Sequence, residues 1–480
     1  MKQLFYCTIF LFLSFVSFGQ KFQSHIEEWT TDADLKNAAV SVHLVALKDK
    51  QVMGSYNSEL AMIPASNLKL LTTAAALNHF GSNHTFNTSL YYTGEIVGGE
   101  LLGDLVIKGG GDPTLGSKLY GGFEKVLTNW VKDISEAGIM SIKGRIIADA
   151  SILPEYNIAR TWIWEDMGNY YGAGVGGIAV YDNTYYLSFK TAANAGELAQ
   201  IVNVYPEIEG LTHDVRVKSS NNNSDNAYIF GGPYRYDKIV EGTLPKGKSS
   251  YTIKGSMPDP ALFLVSNLKA ELKKAGIKTL SLPAITDKDV RLKKMEVGEQ
   301  KAEITLNVGK PLSEIIKITN QKSNNLFAET LHRQLGLAKF DEGSPENGNK
   351  AVMSFLNENN IYSGGVNVVD GSGMSRFNTV TTQTLTDILV FMNSHTESEV
   401  FKKSLSEAGV NGTLRSFLKG SSLQSKVMGK SGYMERVRSY SGYATIGGEE
   451  VVFSIIVNNY SCSAYQMKKK IEALLLGFNQ

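Results

Sequence analysis

The chain has 480 residues, 42% of them hydrophobic and 20% charged, which describes a folded globular protein too long for one ordinary core. Two or three domains are expected. Its 48 basic and 47 acidic residues balance to a formal +1, which removes the electrostatic case for nucleic acid or an anionic membrane surface as a partner.

At the N-terminus, Lys2 precedes an apolar run from Leu4 to Phe18, and Ser17-Phe18-Gly19 offers small residues for cleavage before Gln20. At roughly 15 residues the run is short for a membrane span. The expectation is a signal peptide over residues 1–19, cleaved near Gly19-Gln20, and an exported protein. Cys7 leaves with it and Cys462 remains alone, so no internal disulfide is expected.

Lys21 to Lys36 reads as a helix. Ala39 to Leu47 and Gln51 to Tyr56 read as two strands joined by the turn Lys48-Asp49-Lys50. Pro64 then sits where a first helical turn tolerates a missing N–H, and the Leu/Ala-rich run beyond it predicts a helix. That run is apolar almost all round, so the helix belongs between layers. Ser66 stands at its positive N-terminal end and Lys69, three residues on, faces the same side. A serine hydroxyl needs an adjacent base, and a lysine serves only if burial or cationic neighbours keep it neutral near pH 7. The same spacing recurs at Ser266–Lys269 and Ser416–Lys419, the first inside an amphipathic helix and the second beside a polar turn. Only Ser66 opens an apolar helix.

From about Leu90 to Leu306 the pattern changes to short strands with dense turns, among them Gly109-Gly110-Gly111-Asp112-Pro113 and Gly231-Gly232-Pro233. Ser219 to Asn226 is an exposed loop by composition. Two motif matches here fail on context. Gly242 to Ser249 fits the phosphate-loop pattern, but Ser250 to Lys254 alternates like a strand where a helix is required, so no nucleotide site is expected. Gly172, Gly174 and Gly177 fit a dinucleotide fingerprint, but a Trp/Tyr-rich loop precedes them and the strand-like Ile178-Ala179-Val180-Tyr181 follows.

Further on, Ser323-Asn324-Asn325 stands ahead of a helix over Leu326 to Leu335, in which Glu329 reads as a solvated residue rather than an acid or base. Lys430-Ser431-Gly432 lies on a strand-like segment before the hairpin Ser439–Ile446 and Val451–Asn458, turned at Gly447-Gly448. Tyr465 to Phe478 is an amphipathic C-terminal helix. Hairpins and helices at both ends imply an α+β fold: an antiparallel sheet flanked by helices, both termini in one domain and the middle inserted. The seven histidines are scattered, with no His-Glu-x-x-His, and no Gly-x-Ser-x-Gly elbow exists.

Ser-x-x-Lys at Ser66–Lys69, Ser-x-Asn at Ser323–Asn325 and Lys-Ser-Gly at Lys430–Gly432, in that order, resemble the motif set of the penicillin-binding serine peptidases. More narrowly the chain looks like the D-alanyl-D-alanine carboxypeptidase/endopeptidase family of the penicillin-binding protein 4 type, whose members carry a large insertion between the first two motifs. Gly109 to Leu115, Asp370 to Arg376 and Gly412 to Arg415 fit that family too, and Ser431 stands where it more often has threonine. The resemblance implies a β-lactamase/transpeptidase-like domain made of about residues 20–89 and 307–480, with β-rich inserted domains over about 90–306 and an inner insertion near 185–255. It implies acylation of Ser66 with Lys69 as general base and Ser323 as proton relay. Asn325, Lys430, Ser431 and Gly432 would bind substrate, and the Ser66 and Tyr433 N–H groups would form the oxyanion hole. Peptidoglycan peptides ending in D-Ala-D-Ala would be substrates, β-lactams covalent inhibitors, and the periplasm the location, with no metal or cofactor. Two rivals stay open: a β-lactamase or esterase on the same fold, for which no deacylation machinery is identifiable, and a non-catalytic peptidoglycan-binding protein, which has no need of a Ser–Lys pair.

Overall fold

A computed structural model describes residues 21–155, 158–280 and 282–479; the signal peptide expected over 1–19 lies outside them. The chain divides into two compact units. One holds the described residues up to Asn83, Leu312–Leu335 and the chain from Glu346 onward; the other holds His84–Pro311 and Gly336–Pro345.

The first unit is built on a six-stranded antiparallel sheet in the order Ser406–Glu407, Val427–Met434, Val437–Ile446, Glu449–Asn458, Ala39–Ala46, Val52–Tyr56. The last hairpin turns at Gly447 and Gly448, both at positive φ. Alternation along the strands sorts the two faces. Val40, Val42, Leu44, Phe453 and Ile455 pack in a core with Phe22, Ile26 and the apolar side of the Ala464–Gly477 helix, so both chain ends cover one face. The opposite face is unusually polar for a buried one. Ser41 bonds Thr382 at 2.7 Å, His43 bonds Thr386 at 2.6 Å, and Tyr443 donates to the Leu389 carbonyl at 2.8 Å. These contacts seat the Thr382–Ser394 helix, which packs in turn on the Leu68–Phe80 helix.

The N-terminal helix is shorter than expected. It spans 21–30 and gives way to a 3-10 turn at Ala33–Leu35, because the Asp32 carboxylate caps that turn by accepting from the Asp34 N–H at 2.9 Å. Ser66 sits in a second 3-10 turn, Ala65–Asn67, and the α-helix proper begins at Leu68. Every residue of that helix from Leu68 to Leu77 is buried, as an apolar circumference requires.

In the second unit, sheets are mixed rather than purely antiparallel. A five-stranded sheet runs Ile285–Thr286, Ile146–Asp149, Leu105–Gly109, Asn87–Thr93, Gln300–Val308, and its first two pairings are parallel. Tyr251–Ser256 is a strand, so the phosphate-loop match before it leads into no helix. Two expectations need correction. Phe123–Glu136 is a helix inside the region read as short strands: Phe123, Leu127, Trp130 and Ile134 recur at helical spacing and are all buried. Ile178 to Tyr181 forms no strand. Ile178, Ala179 and Val180 are buried in the core without a partner strand, and the backbone turns into the left-handed region at Tyr181, Asp182 and Asn183.

Candidate active site

The Ser66 turn is bolted to the sheet by side chains from its polar face. Asn458 grips Ile63 twice, accepting from its N–H at 2.9 Å and donating to its carbonyl at 3.1 Å. Ser439 Oγ donates to the Pro64 carbonyl at 2.7 Å, and Asn67 Nδ2 donates to Ser441 Oγ at 2.8 Å, which bonds Ser454 Oγ at 2.8 Å. Buried polar groups are tolerated only when paired, and here the pairing fixes one turn. Gly432, on the Lys430 strand, lies so close to this turn that a Cβ would collide with Ser439 Oγ and the Pro64 carbonyl. A side chain there would push the strand off the Ser66 turn.

Ala65 has φ +48° and Ser323 has φ +55°. Non-glycine residues in this region carry about 1–3 kcal/mol of strain, held by the surrounding structure, and both flank or belong to the candidate site.

Lys69 is fully buried, and its Nζ reaches three oxygens: Ser66 Oγ at 3.0 Å, Asn325 Oδ1 at 2.6 Å and the Ser372 carbonyl at 2.6 Å. Amide and carbonyl oxygens accept only, so they take two N–H bonds. In the neutral amine the lone pair is left for the Ser66 hydroxyl. Burial brings the Lys69 pKa down to about 7, against the opposing pull of the Asp370 and Glu329 carboxylates.

Lys430 is the second fully buried lysine. Its Nζ donates to Ser323 Oγ at 2.9 Å and to the Ser431 carbonyl at 2.7 Å. Burial, and then the nearby Lys69 charge, push it well below the ordinary lysine range. Its strand, Val427–Met434, pairs on one side with Val437–Ile446; on the other, the two-residue strand Ser406–Glu407 reaches only Met428 and Gly429. From Lys430 onward no strand among the described residues pairs with that side.

Ser323 and Asn325 lie two residues apart at the start of the Asn325–Phe340 helix, and so connect the two lysines. The helix cap is neither of them: Asn324 Oδ1 accepts from the Phe327 N–H at 3.1 Å. Two hydrogen-bonded groups, Ser66–Lys69–Asn325 and Ser323–Lys430, are thus held together through the Ser323–Asn325 stretch. Ser431 is half-buried in the same strand opposite Tyr440, and its carbonyl serves Lys430. Tyr433 lies further along, opposite Arg438, and is 58% exposed.

Glu329 corrects the sequence reading. It is 2% exposed, not solvated, and its Oε1 accepts from the Ser372 N–H at 2.7 Å. Asp370 is buried as well, accepting from the N–H groups of Gly373 and Ser375 at 2.7 and 2.6 Å and from Asn378 Nδ2 at 2.8 Å. The run Asp370 to Arg376, which the sequence marks only by resemblance, shapes the loop that carries the Ser372 carbonyl. Among the described residues no cluster of His, Cys, Asp and Glu could hold a metal ion.

Such a fold, with a serine and a buried amine as hydrogen-bonded neighbours, is that of a serine hydrolase. The chain belongs to the D-Ala-D-Ala carboxypeptidase 3 (S13) family, which it matches over residues 22–477. It is 26% identical over 435 residues to the D-alanyl-D-alanine carboxypeptidase DacB of Haemophilus influenzae, covering 88% of this chain and 86% of that one. It is 28% identical over 448 residues to the D-alanyl-D-alanine carboxypeptidase of Actinomadura sp., covering 90% and 79%. Its fold matches the crystal structure of penicillin binding protein 4 (dacB) from Haemophilus influenzae with a TM-score of 0.77 at 23% identity, over 95% of this chain and 98% of that one.

Proposed function

We propose that this chain is a serine-type D-alanyl-D-alanine carboxypeptidase of peptidoglycan, acting through an acyl-enzyme on Ser66. The observation that carries the reading is the Lys69 Nζ, buried, 3.0 Å from Ser66 Oγ and brought down to a pKa of about 7. A lysine in that state can take the serine proton at neutral pH.

The steps follow from the bonds already described. Ser66 Oγ attacks the carbonyl of the penultimate D-alanine as its proton passes to Lys69. The Ser66 and Tyr433 N–H groups stabilise the oxyanion, aided by the positive end of the Leu68–Phe80 helix. Ser323 relays a proton to the departing D-alanine amine, and water then releases the acyl group. Asn325 fixes Lys69 and the peptide amide. Lys430 and the Ser431 hydroxyl bind the terminal carboxylate, which accounts for a preference for free C-termini. Gly432 lets the strand approach.

β-Lactams are carboxylate-bearing acylating agents of the same shape, and a Haemophilus influenzae penicillin binding protein 4 structure holds one. Covalent trapping of Ser66 by penicillin belongs to this reading, as does export to the compartment that contains peptidoglycan. Among the described residues no helix is long and apolar enough to cross a membrane. Release of D-alanine from a pentapeptide ending in D-Ala-D-Ala, measured for the native chain and for Ser66→Ala, tests it. Release by the native chain alone is expected; equal release by both would remove Ser66 from the mechanism.

A further inference from the structure

The helix that follows Asn325 turns Glu329 and Arg333 into the protein interior, at 2% and 1% exposure. Burying a carboxylate is costly, so its position calls for a compensating role. The Glu329 carboxylate accepts the N–H of Ser372, and the carbonyl of that same Ser372 accepts from Lys69 Nζ, at 2.7 and 2.6 Å. One residue is therefore gripped on its amide side by an acid and on its carbonyl side by the amine. The rest of the loop is tied down around it. Asp370 holds the N–H groups of Gly373 and Ser375, and Thr72 Oγ1, from the Ser66 helix, donates to the Gly371 carbonyl at 2.7 Å.

We propose that Glu329 is a positioning residue for the general base: it holds the Ser372 peptide so that its carbonyl stays on Lys69 Nζ, and it sets a buried negative charge behind that amine. The proposal rests on the reading of Ser66 and Lys69 above. It solves a problem peculiar to a buried lysine base. Burial alone drives the amine neutral, which makes it able to take a proton but unable to keep one. After attack, Lys69 must hold the Ser66 proton until the leaving amine receives one. A carboxylate one peptide away favours that charged state without bonding the amine itself, so the lone pair stays free for Ser66.

The charges that face this corner come from several elements. Asp370 and Glu329 favour the protonated amine, and the Lys69 charge in turn disfavours that of Lys430, on the sheet. Arg333, one turn beyond Glu329, faces Glu329, Glu346 and Asp370. His332 is held neutral, its pKa brought to about 4 by burial and then by Arg333. Glu329 therefore acts on Lys69 within a balanced set, and neutralising it alone shifts that balance in one direction.

The test is the rate of acylation by a fluorescent penicillin as a function of pH, in the native chain, Glu329→Gln and Glu329→Asp, with thermal unfolding measured beside it. Glutamine keeps an acceptor for the Ser372 N–H and loses the charge, so the acid-side midpoint should fall by about half a pH unit or more. Aspartate keeps the charge but withdraws it by one methylene, so its midpoint should stay near native while the plateau rate falls about tenfold. A purely structural glutamate would move the melting temperature and neither kinetic quantity. A Glu329→Gln protein of native stability with an unchanged midpoint would overturn the proposal. If Glu329→Gln fails to fold, Glu329→Asp decides: a native plateau overturns the positioning role, and a lowered plateau with the native midpoint supports it. A native chain that no penicillin acylates at any pH would instead remove the parent reading.

Discussion

The two buried lysines occupy opposite corners of one site and are treated differently by the protein. Lys69 is surrounded by three oxygens, with the carboxylates of Glu329 and Asp370 pulling against burial; the result is an amine poised near neutrality. Lys430 has a serine hydroxyl and a carbonyl of its own strand, and both influences on its charge, burial and Lys69, push the same way. The first corner is complete without substrate. The second improves when an anion arrives, because a bound carboxylate would restore the charge that burial suppresses. Identical side chains at equal burial are thus given different charge preferences by what stands behind them, and that difference is what the proposed roles of base and anchor require.

Four changes test that contrast, in order of falling effect. Ser66→Ala removes the nucleophile that Lys69 serves, and turnover should fall by about a thousandfold or more with the melting temperature unchanged; a small loss would dissolve the Lys69 corner as a catalytic unit. Next is pH. The Lys69 pKa is lowered to about 7, so the reactive neutral amine is depleted below it and restored above it. Acylation should rise through pH 7 and be about a hundredfold slower at pH 5 than on its plateau. A flat profile between pH 5 and 8 contradicts the assignment. Third, Lys430→Met should weaken hydrolysis of a peptide with a free C-terminus by about 10- to 100-fold, chiefly through KM. Amidating the peptide's C-terminus should impose a similar loss on the native chain and little further loss on the variant. Additive losses would show that Lys430 does not meet the carboxylate. The smallest effect is expected at Asn458→Ala, which leaves the Ile63 N–H and carbonyl unpaired beneath the Ser66 turn. It should cost about 1–3 kcal/mol in denaturant unfolding and slow acylation modestly.

Much of this site was legible before the fold. Ser66, Lys69, Ser323, Asn325 and Lys430 are short motifs whose order carries the information, and the apolar run after Ser66 marked its helix as buried. The two hairpins and terminal helices likewise stood out by alternation and by Gly447-Gly448. What escaped is what acts through the third dimension. Glu329 looked solvated because one glutamate on a helix gives no sign that a loop 43 residues further along the sequence brings an N–H to it. Nothing in the sequence marks Ser439, Ser441 and Asn458 as inward-pointing; they are, because the face they line holds a turn whose backbone must be bonded. The missed helix Phe123–Glu136 is a different failure. Its apolar residues recur at helical spacing, and flanking glycine-rich turns masked that period.

The most direct measurement is to map the adduct. After brief reaction with penicillin at pH 8, digestion and mass spectrometry should find one modified residue, Ser66, and adduct formation at pH 5 should be strongly reduced. An adduct on any other residue, or none on a folded protein, would contradict the account of Ser66 and Lys69 as nucleophile and base.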